Sequence, residues 1–254
     1  MASARRDTSP EKSRPSVFWL LGGVVEPLTA IFAKIEIENP EKLPREGSYV
    51  LAPNHYSNFD PMVVAVAVWR IGRAPSFMAK ESLFRVPVLG WALRATRMVP
   101  VSRSSSASAA RDTIRGSEQL VKDGRGVVVY PEGTLTRDPD LWPMRGKTGA
   151  VRLALAGGVP LVPMAQWGVQ EIMPRYGKLR LWPLRRRVRV VLGDPVDIVA
   201  HGADLTRPAT LVAATDLLMD RIAELLGPLR EGTPPAQRWN PSAHGQNETG
   251  RLES

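Results

Sequence analysis

Apolar and polar positions along this chain fall into short strand-like runs separated by longer helical ones. "KIEIEN" (34–39) alternates residue by residue, the period of a half-buried strand. "SYVLAP" (48–53) and "GVVVYP" (126–131) are apolar runs that stop at proline, so both read as strands buried on two faces. "PSFMAK" (75–80), "RMVPVS" (97–102), "PLVPMAQW" (160–167) and "RVRVVLG" (187–193) read as further strands. Helices are predicted over 60–71, over 81–95 with a break at Pro87, over 106–124, over 146–158 and over the strongly amphipathic 207–227. Strands and helices in alternation predict an α/β fold, a mostly parallel or mixed central sheet flanked by helices.

The ends depart from that rhythm. Residues 1–15 are polar and predict a disordered N-terminus, and 228–254, rich in Pro, Gly, Asn and Ser, predict a disordered C-terminal tail. The stretch "VFWLLGGVVEPLTAIFA" (17–33) is shorter than the ~20 apolar residues that a bilayer span needs. Glu26 and Pro27 also interrupt its middle. Two short helical pieces are expected over 16–33, lying on a membrane or packed against the body of the protein. The remainder, 34–227, is long enough for one folded domain with a sizeable core.

Composition narrows the chemistry. The absence of cysteine excludes disulfides, thiolate nucleophiles and cysteine-bound zinc. The net charge of +9 points to an anionic partner: nucleic acid, anionic lipid or a phosphorylated substrate.

One of only three histidines lies in "LAPNHYSNFDP" (51–61), in the turn between a strand and a helix. Such turns gather at the carboxyl edge of a sheet, where open α/β folds place ligands. Asp60 precedes Pro61, which suits a helix start, so Asp60 reads as an N-cap. The same carboxylate can reach back to His55, fix its tautomer and raise the basicity of its far nitrogen. No Gly-x-Ser-x-Gly elbow is present, so a proton for His55 to take would belong to a substrate such as an alcohol. The spacing by itself also describes a purely structural turn histidine.

"VVVYPEGTLTRD" (127–138) repeats the arrangement of strand, proline and turn. Gly133 permits a tight turn with exposed amides, Thr134 supplies a hydroxyl and Arg137 follows, a set suited to a phosphate oxygen. A carboxylate repels phosphate, so Glu132 is expected to hold the loop or to pair with a basic residue. Lys80 and Arg103 stand at or just beyond the ends of two other strands. Each alone reads as a solvated surface charge; together they can face the same crevice as His55 and grip phosphate.

Taken in order, these residues resemble the glycerolipid acyltransferase family, in its 1-acylglycerol-3-phosphate O-acyltransferase branch. The family's Asn-His-x-x-x-x-Asp block is matched by Asn54, His55 and Asp60, and its second block by "RMVPVSR" through Arg103. Pro131 to Thr134 match Pro-Glu-Gly-Thr, and "VPLVPMA" (159–165) matches the apolar Val-Pro-x-x-Pro strand. Two positions depart: Arg97 stands where the second block usually opens with glycine, and Leu135 where an arginine often follows Glu-Gly-Thr. The resemblance implies that His55 and Asp60 are catalytic, that Asn54 and Glu132 organise the loops, and that Lys80, Arg103, Gly133, Thr134 and Arg137 bind the substrate phosphate. It implies acyl transfer from acyl-CoA or acyl-carrier protein to the free hydroxyl of a lysophospholipid acceptor, giving phosphatidic acid, with no metal and no bound cofactor. Another lysophospholipid or a glycolipid is the alternative acceptor, and a non-enzymatic basic lipid- or nucleic-acid-binding protein is the alternative outside enzymes.

The cation-rich "MPRYGKLRLWPLRRRVRV" (173–190) also carries Tyr176 and Trp182. It reads either as a solvated face or as a contact with an anionic membrane surface, and with no recognised nucleic-acid module in the chain a nucleic-acid partner is not expected. With the 16–33 stretch it predicts a peripheral or monotopic protein on the cytoplasmic face of the cell membrane.

Overall fold

The computed structural model describes residues 17–96, 98–101, 118–119, 121–198 and 207–247. Its strands are β1 (Ala33–Glu38), β2 (Tyr49–Pro53), β3 (Met78–Lys80), β4 (Val99–Val101), β5 (Gly126–Val128), β6 (Leu161–Trp167) and β7 (Arg186–Leu192). Its helices are α1 (Val17–Phe32), α2 (Asp60–Ile71), α3 (Pro87–Ala95), α4 (Gly149–Gly157), α5 (Val169–Ile172) and α6 (Pro208–Arg230). Five strands form one sheet in the order β1-β7-β6-β2-β5. The β6–β7 pair is antiparallel and the others are parallel, a mixed α/β sheet of the kind the alternation predicts. β3 and β4 pair in parallel beside it and join its β5 edge through a bridge between Phe77 and Val128. Of the helix predicted over 106–124, only 118–119 and 121–124 are described; 118–119 and 121–122 are helical and 123–124 form a turn.

Strand periodicity sorts the core onto both faces of the sheet. Leu51, Val128, Val162 and Met164 pack with Val63, Val64 and Ala67 of α2. Their neighbours Val50, Ala52, Val127 and Leu161 pack with Val151 of α4 and with Leu218, Met219 and Ile222 of α6. Each such Val, Leu, Ile or Met side chain contributes roughly 1.5–3 kcal/mol by leaving water. Tyr49 is fully buried and pairs across the ladder with Gly126, where a Cβ would stand 1.9 Å from the ring. At the amino edge of these strands the buried guanidinium of Arg73 donates to the carbonyls of Pro44 (2.6 Å), Gly47 (2.8 Å) and Gly124 (3.2 Å). The opposite, carboxyl edge of β2 and β5 is left for the site.

Two expectations about the ends are corrected. The 16–33 stretch is one helix, α1, with Pro27 inside it, rather than two pieces. Proline removes one helical donor; next to that gap the Thr29 hydroxyl donates to the Val25 carbonyl at 2.7 Å. One side of α1 rests on α2, with Trp19 edge-on to Trp69 and Glu26 ion-paired to Arg70 at 2.8 Å. Among the described residues, no helix is long and apolar enough to cross a membrane.

The tail expected to be disordered from 228 is instead folded through 247, as far as the description runs. α6 continues past Gly227 and Pro228 because Leu226 and Leu229 are buried against Trp142 and Ala165. Arg230 stacks over the rings of Trp142 and Trp167. Beyond it, Arg238 pairs with Asp216 (2.6 Å) and Asp220 (2.8 Å) of α6, and Trp239 stacks on His244. These long-range contacts outweigh a local composition that lacks a hydrophobic period.

Candidate active site

Residues 54–59 form the turn that carries the chain from β2 into α2. Asp60, the first residue of α2, is fully buried and gathers the turn onto one oxygen. Its Oδ2 accepts from the amides of Tyr56 (2.7 Å) and Ser57 (2.8 Å) and lies 2.9 Å from Nδ1 of His55. The carboxylate therefore caps the turn rather than its own helix. Burial pushes the Asp60 carboxyl up from its ordinary value, while the hydrogen bonds from His55, Ser57 and Tyr56 pull it back. An ionised carboxylate only accepts, so Nδ1 carries the imidazole proton and Nε2 keeps a free lone pair.

The position of His55 is fixed from several directions. Its amide donates to Glu132 Oε1 (2.9 Å), and its carbonyl accepts from the amide of Thr136 (2.6 Å). Its ring stacks on that of Tyr130 at 4.0 Å and 25°. Just before it, Asn54 accepts from the amide of Gln166 (2.9 Å) and donates to its carbonyl (3.2 Å), extending the β2–β6 pairing with a side chain. Ser57 Oγ donates to the carbonyl of Met173 at 2.6 Å, so this nearby hydroxyl is already committed. Glu132 is fully buried and its Oε2 accepts from the amide of Met144 at 3.1 Å. Burial pushes its carboxyl up to about 8, so it is largely protonated at neutral pH.

His55 and Tyr130 line a cavity of about 570 Å³ enclosed by α1, α2, α3 and the strand-end residues Phe77 and Met78. Leu21, Val25, Met62, Trp69 and Leu93 give it an almost wholly apolar wall. Its character is that of a site for hydrocarbon, with an imidazole at one end.

Of the other residues singled out from sequence, Asn54, Glu132, Gly133, Thr134 and Arg137 are not among those lining this cavity. Gly133 has φ +70 and is exposed, but its amide donates to the Tyr130 carbonyl at 3.0 Å and is spent on the turn. Thr134 and Arg137 are buried, Arg137 with only 2% of its surface exposed, so the expectation that it presents a cation to a substrate meets a side chain sealed inside the protein. Lys80 ends β3, where its backbone pairs with Val101 of β4; its side chain and Arg103 lie outside the described residues. Tyr130 escaped the sequence reading because it passed as the end of an apolar strand. Its place directly before Pro-Glu-Gly-Thr was the available signal.

The mixed α/β sheet thus sets a carboxylate-bound histidine at the wall of a hydrocarbon-lined cavity. Residues 34–167 match the Acyltransferase family model, and the chain belongs to that family. It is 35% identical over 144 residues to a chloroplastic 1-acyl-sn-glycerol-3-phosphate acyltransferase of Brassica napus, covering 56% of this chain and 40% of that protein. It is 31% identical to a Bacillus subtilis protein of the same enzyme name, covering 75% of this chain and 87% of that one. Against the plant relatives from Brassica napus and Arabidopsis thaliana, the chain spans only 40% and 45% of their length. The fold is that of the Thermotoga maritima 1-acyl-sn-glycerophosphate acyltransferase PlsC, with a TM-score of 0.60 at 23% identity over 82% of this chain and 79% of that one.

Proposed function

We propose that this protein transfers an acyl group from a thioester, acyl-CoA or acyl-carrier protein, to the free hydroxyl of 1-acylglycerol-3-phosphate, giving phosphatidic acid. The observation that carries the reading is the His55–Asp60 pair at the wall of an apolar cavity, 2.9 Å between Nδ1 and Oδ2. His55 Nε2 takes the proton of the acceptor hydroxyl, and the resulting oxygen attacks the thioester carbonyl. The tetrahedral intermediate collapses, the C–S bond breaks, and the imidazolium returns its proton to the leaving thiolate. Asp60 keeps the tautomer and balances the charge that forms on the ring. General-base help of this kind contributes typically ~10²–10⁴-fold. The names of the relatives support the glycerophosphate acceptor.

The surface supports peripheral attachment to an anionic bilayer. Exposed large apolar side chains gather on α1 (Trp19, Leu20, Leu28), on the α3 region (Val88, Trp91) and on the 181–184 loop (Leu181, Trp182). That loop is tied to the end of α1 by the Arg185 amide, which donates to the Ile31 carbonyl at 3.0 Å. α1 and α3 also wall the cavity, so lipid chains have a short path from bilayer to imidazole. In the cell this surface is the cytoplasmic face of the membrane. For the acceptor's phosphate, Lys80 and Arg103 are the stronger pair: Lys80 pairs in register with Val101, two residues before Arg103.

A panel of acceptors with labelled acyl-CoA tests the reading. Transfer to lysophosphatidic acid alone supports it. Equal transfer to monoacylglycerol or lysophosphatidylethanolamine favours the second reading, a different acceptor, to which the burial of Arg137 already lends weight.

A further inference from the structure

Glu132 bonds to His55 with one oxygen and to Met144 with the other, and on the Met144 side it forms part of the wall of a second cavity, of about 600 Å³. This cavity differs in kind from the hydrocarbon-lined one. It lies between the 144–148 segment, the α6 residues Thr215, Asp216 and Asp220, and the folded tail over 235–241. Its two aspartates share the single guanidinium of Arg238, which offsets one of their two charges. Two further cations line it, Arg145 and Lys147. Both are exposed, and neither side chain has a hydrogen-bond or ion-pair partner among the described residues.

The backbone at those two cations is nevertheless anchored. The Arg145 amide donates to the Trp239 carbonyl at 2.9 Å and the Lys147 amide to the Pro131 carbonyl at 2.7 Å. Gly146 between them lets the segment settle on α6, since a Cβ there would meet Met219 at 2.8 Å. On the other side Lys147 lies over the Gly133 turn, where an added Cβ would come within 3.1 Å of its Cδ. Two like charges are thus held on a fixed segment at one opening, and with Arg238 they outnumber Asp216 and Asp220 by one, an arrangement that favours an anion. The cavity is too roomy for a bare phosphate and fits one that carries an organic body.

We propose that Arg145 and Lys147 bind a phosphomonoester in this cavity. On the acyltransferase reading, on which the choice of source rests, that group is either the acceptor's own phosphate or the 3′-phosphate of coenzyme A. Assigned to the donor, the site leaves the acceptor's phosphate to Lys80 and Arg103; assigned to the acceptor, it takes over that role from them, Arg137 being buried.

The test uses the full chain, wild type and the double variant Arg145→Ala/Lys147→Ala, with Arg152→Ala on α4 as a control for loss of general charge. Glycerol 3-phosphate and adenosine 3′,5′-bisphosphate are titrated calorimetrically, and KM is measured for both substrates. The expected result is at least a tenfold loss of affinity for one of the two probes in the double variant, little change in the control, and recovery in Lys147→Arg built on Arg145→Lys. A rise in KM for the lysolipid assigns the site to the acceptor, and a rise in KM for acyl-CoA, absent with acyl-dephospho-CoA, assigns it to the donor. Unchanged binding of both probes and unchanged KM values in an active enzyme overturn the site. Probe binding that depends on these residues in a protein without acyl transfer upholds the site and instead rejects the proposed activity.

Discussion

The carboxyl of Glu132 accepts the backbone amide of His55 at 2.9 Å while its other oxygen accepts that of Met144 at 3.1 Å. One buried side chain therefore sets the height of the histidine turn and closes the Pro-Glu-Gly-Thr loop onto the 144–148 segment. The two loops that sequence reading treated separately are mechanically a single unit, and the proton on Glu132 is part of it.

That proton gives stability a pH dependence. The Glu132 carboxyl titrates at about 8 in the folded protein against an ordinary 4.5. Between those values the native state holds a proton that the unfolded chain has released, so stability falls as pH rises through the window. The slope from this group is at most about 1.4 kcal/mol per pH unit. Glu132→Gln is neutral throughout, so urea unfolding at pH 5, 7 and 9 should show the variant gaining steadily on the wild type. Parallel pH curves for the two proteins would refute the buried protonated carboxyl.

Asp60 separates a structural role from a chemical one. Asp60→Asn keeps an oxygen for the Tyr56 and Ser57 amides, so the turn should survive and circular dichroism should be unchanged. The negative charge that balances an imidazolium is lost, and kcat is expected to drop on the order of 10²–10⁴-fold, as for His55→Ala. Asp60→Ala should also cost stability, about 1–3 kcal/mol for each buried amide left unpaired. Wild-type kcat in a folded Asp60→Asn would remove the pair from the chemistry.

The histidine and aspartate were legible because a single turn holds both, and local spacing carries that information. The strand and helix alternation was legible for the same reason, since periods of two and 3.6 are written over a few residues. The antiparallel turn of β7 against β6 left no local mark. Nor did the Asn54–Gln166 bonds, which join positions 112 residues apart. Arg137 reads as a phosphate-binding cation in a turn, and nothing in its neighbours marks that its side chain is buried. Arg238 reads as part of a tail until Asp216 and Asp220 appear one helix face away.

The proposed bilayer contact predicts a loss that can be weighed. Trp182 is 81% exposed on a loop bound to the end of α1. Removing one interfacial tryptophan should cost about 1–2 kcal/mol of partitioning, roughly a 5- to 30-fold weaker association. Co-sedimentation of Trp182→Ala with vesicles containing anionic lipid measures it. Association should weaken further when the anionic lipid is replaced by a zwitterionic one, as each nearby basic residue contributes roughly 1 kcal/mol. Equal sedimentation of variant and wild type would take the 181–184 loop off the membrane.

The apolar cavity should measure acyl chains. Ala65 of α2 lines it along with Met62 and Leu93, on the far side of the wall from the buried strand residues. Replacing Ala65 with phenylalanine fills part of the volume without adding a polar atom. If the reacting chain lies there, long donors must leave two to four methylenes unburied, at about 0.8 kcal/mol each. That predicts a fall in kcat/KM of roughly 10- to 200-fold for the longest donors accepted by the wild type. Donors shorter by those methylenes should be used nearly as well as before. A series of saturated acyl-CoA substrates reads the profile directly. A loss that is uniform across chain lengths would mean that the substitution disturbed His55, and that the reacting chain lies elsewhere.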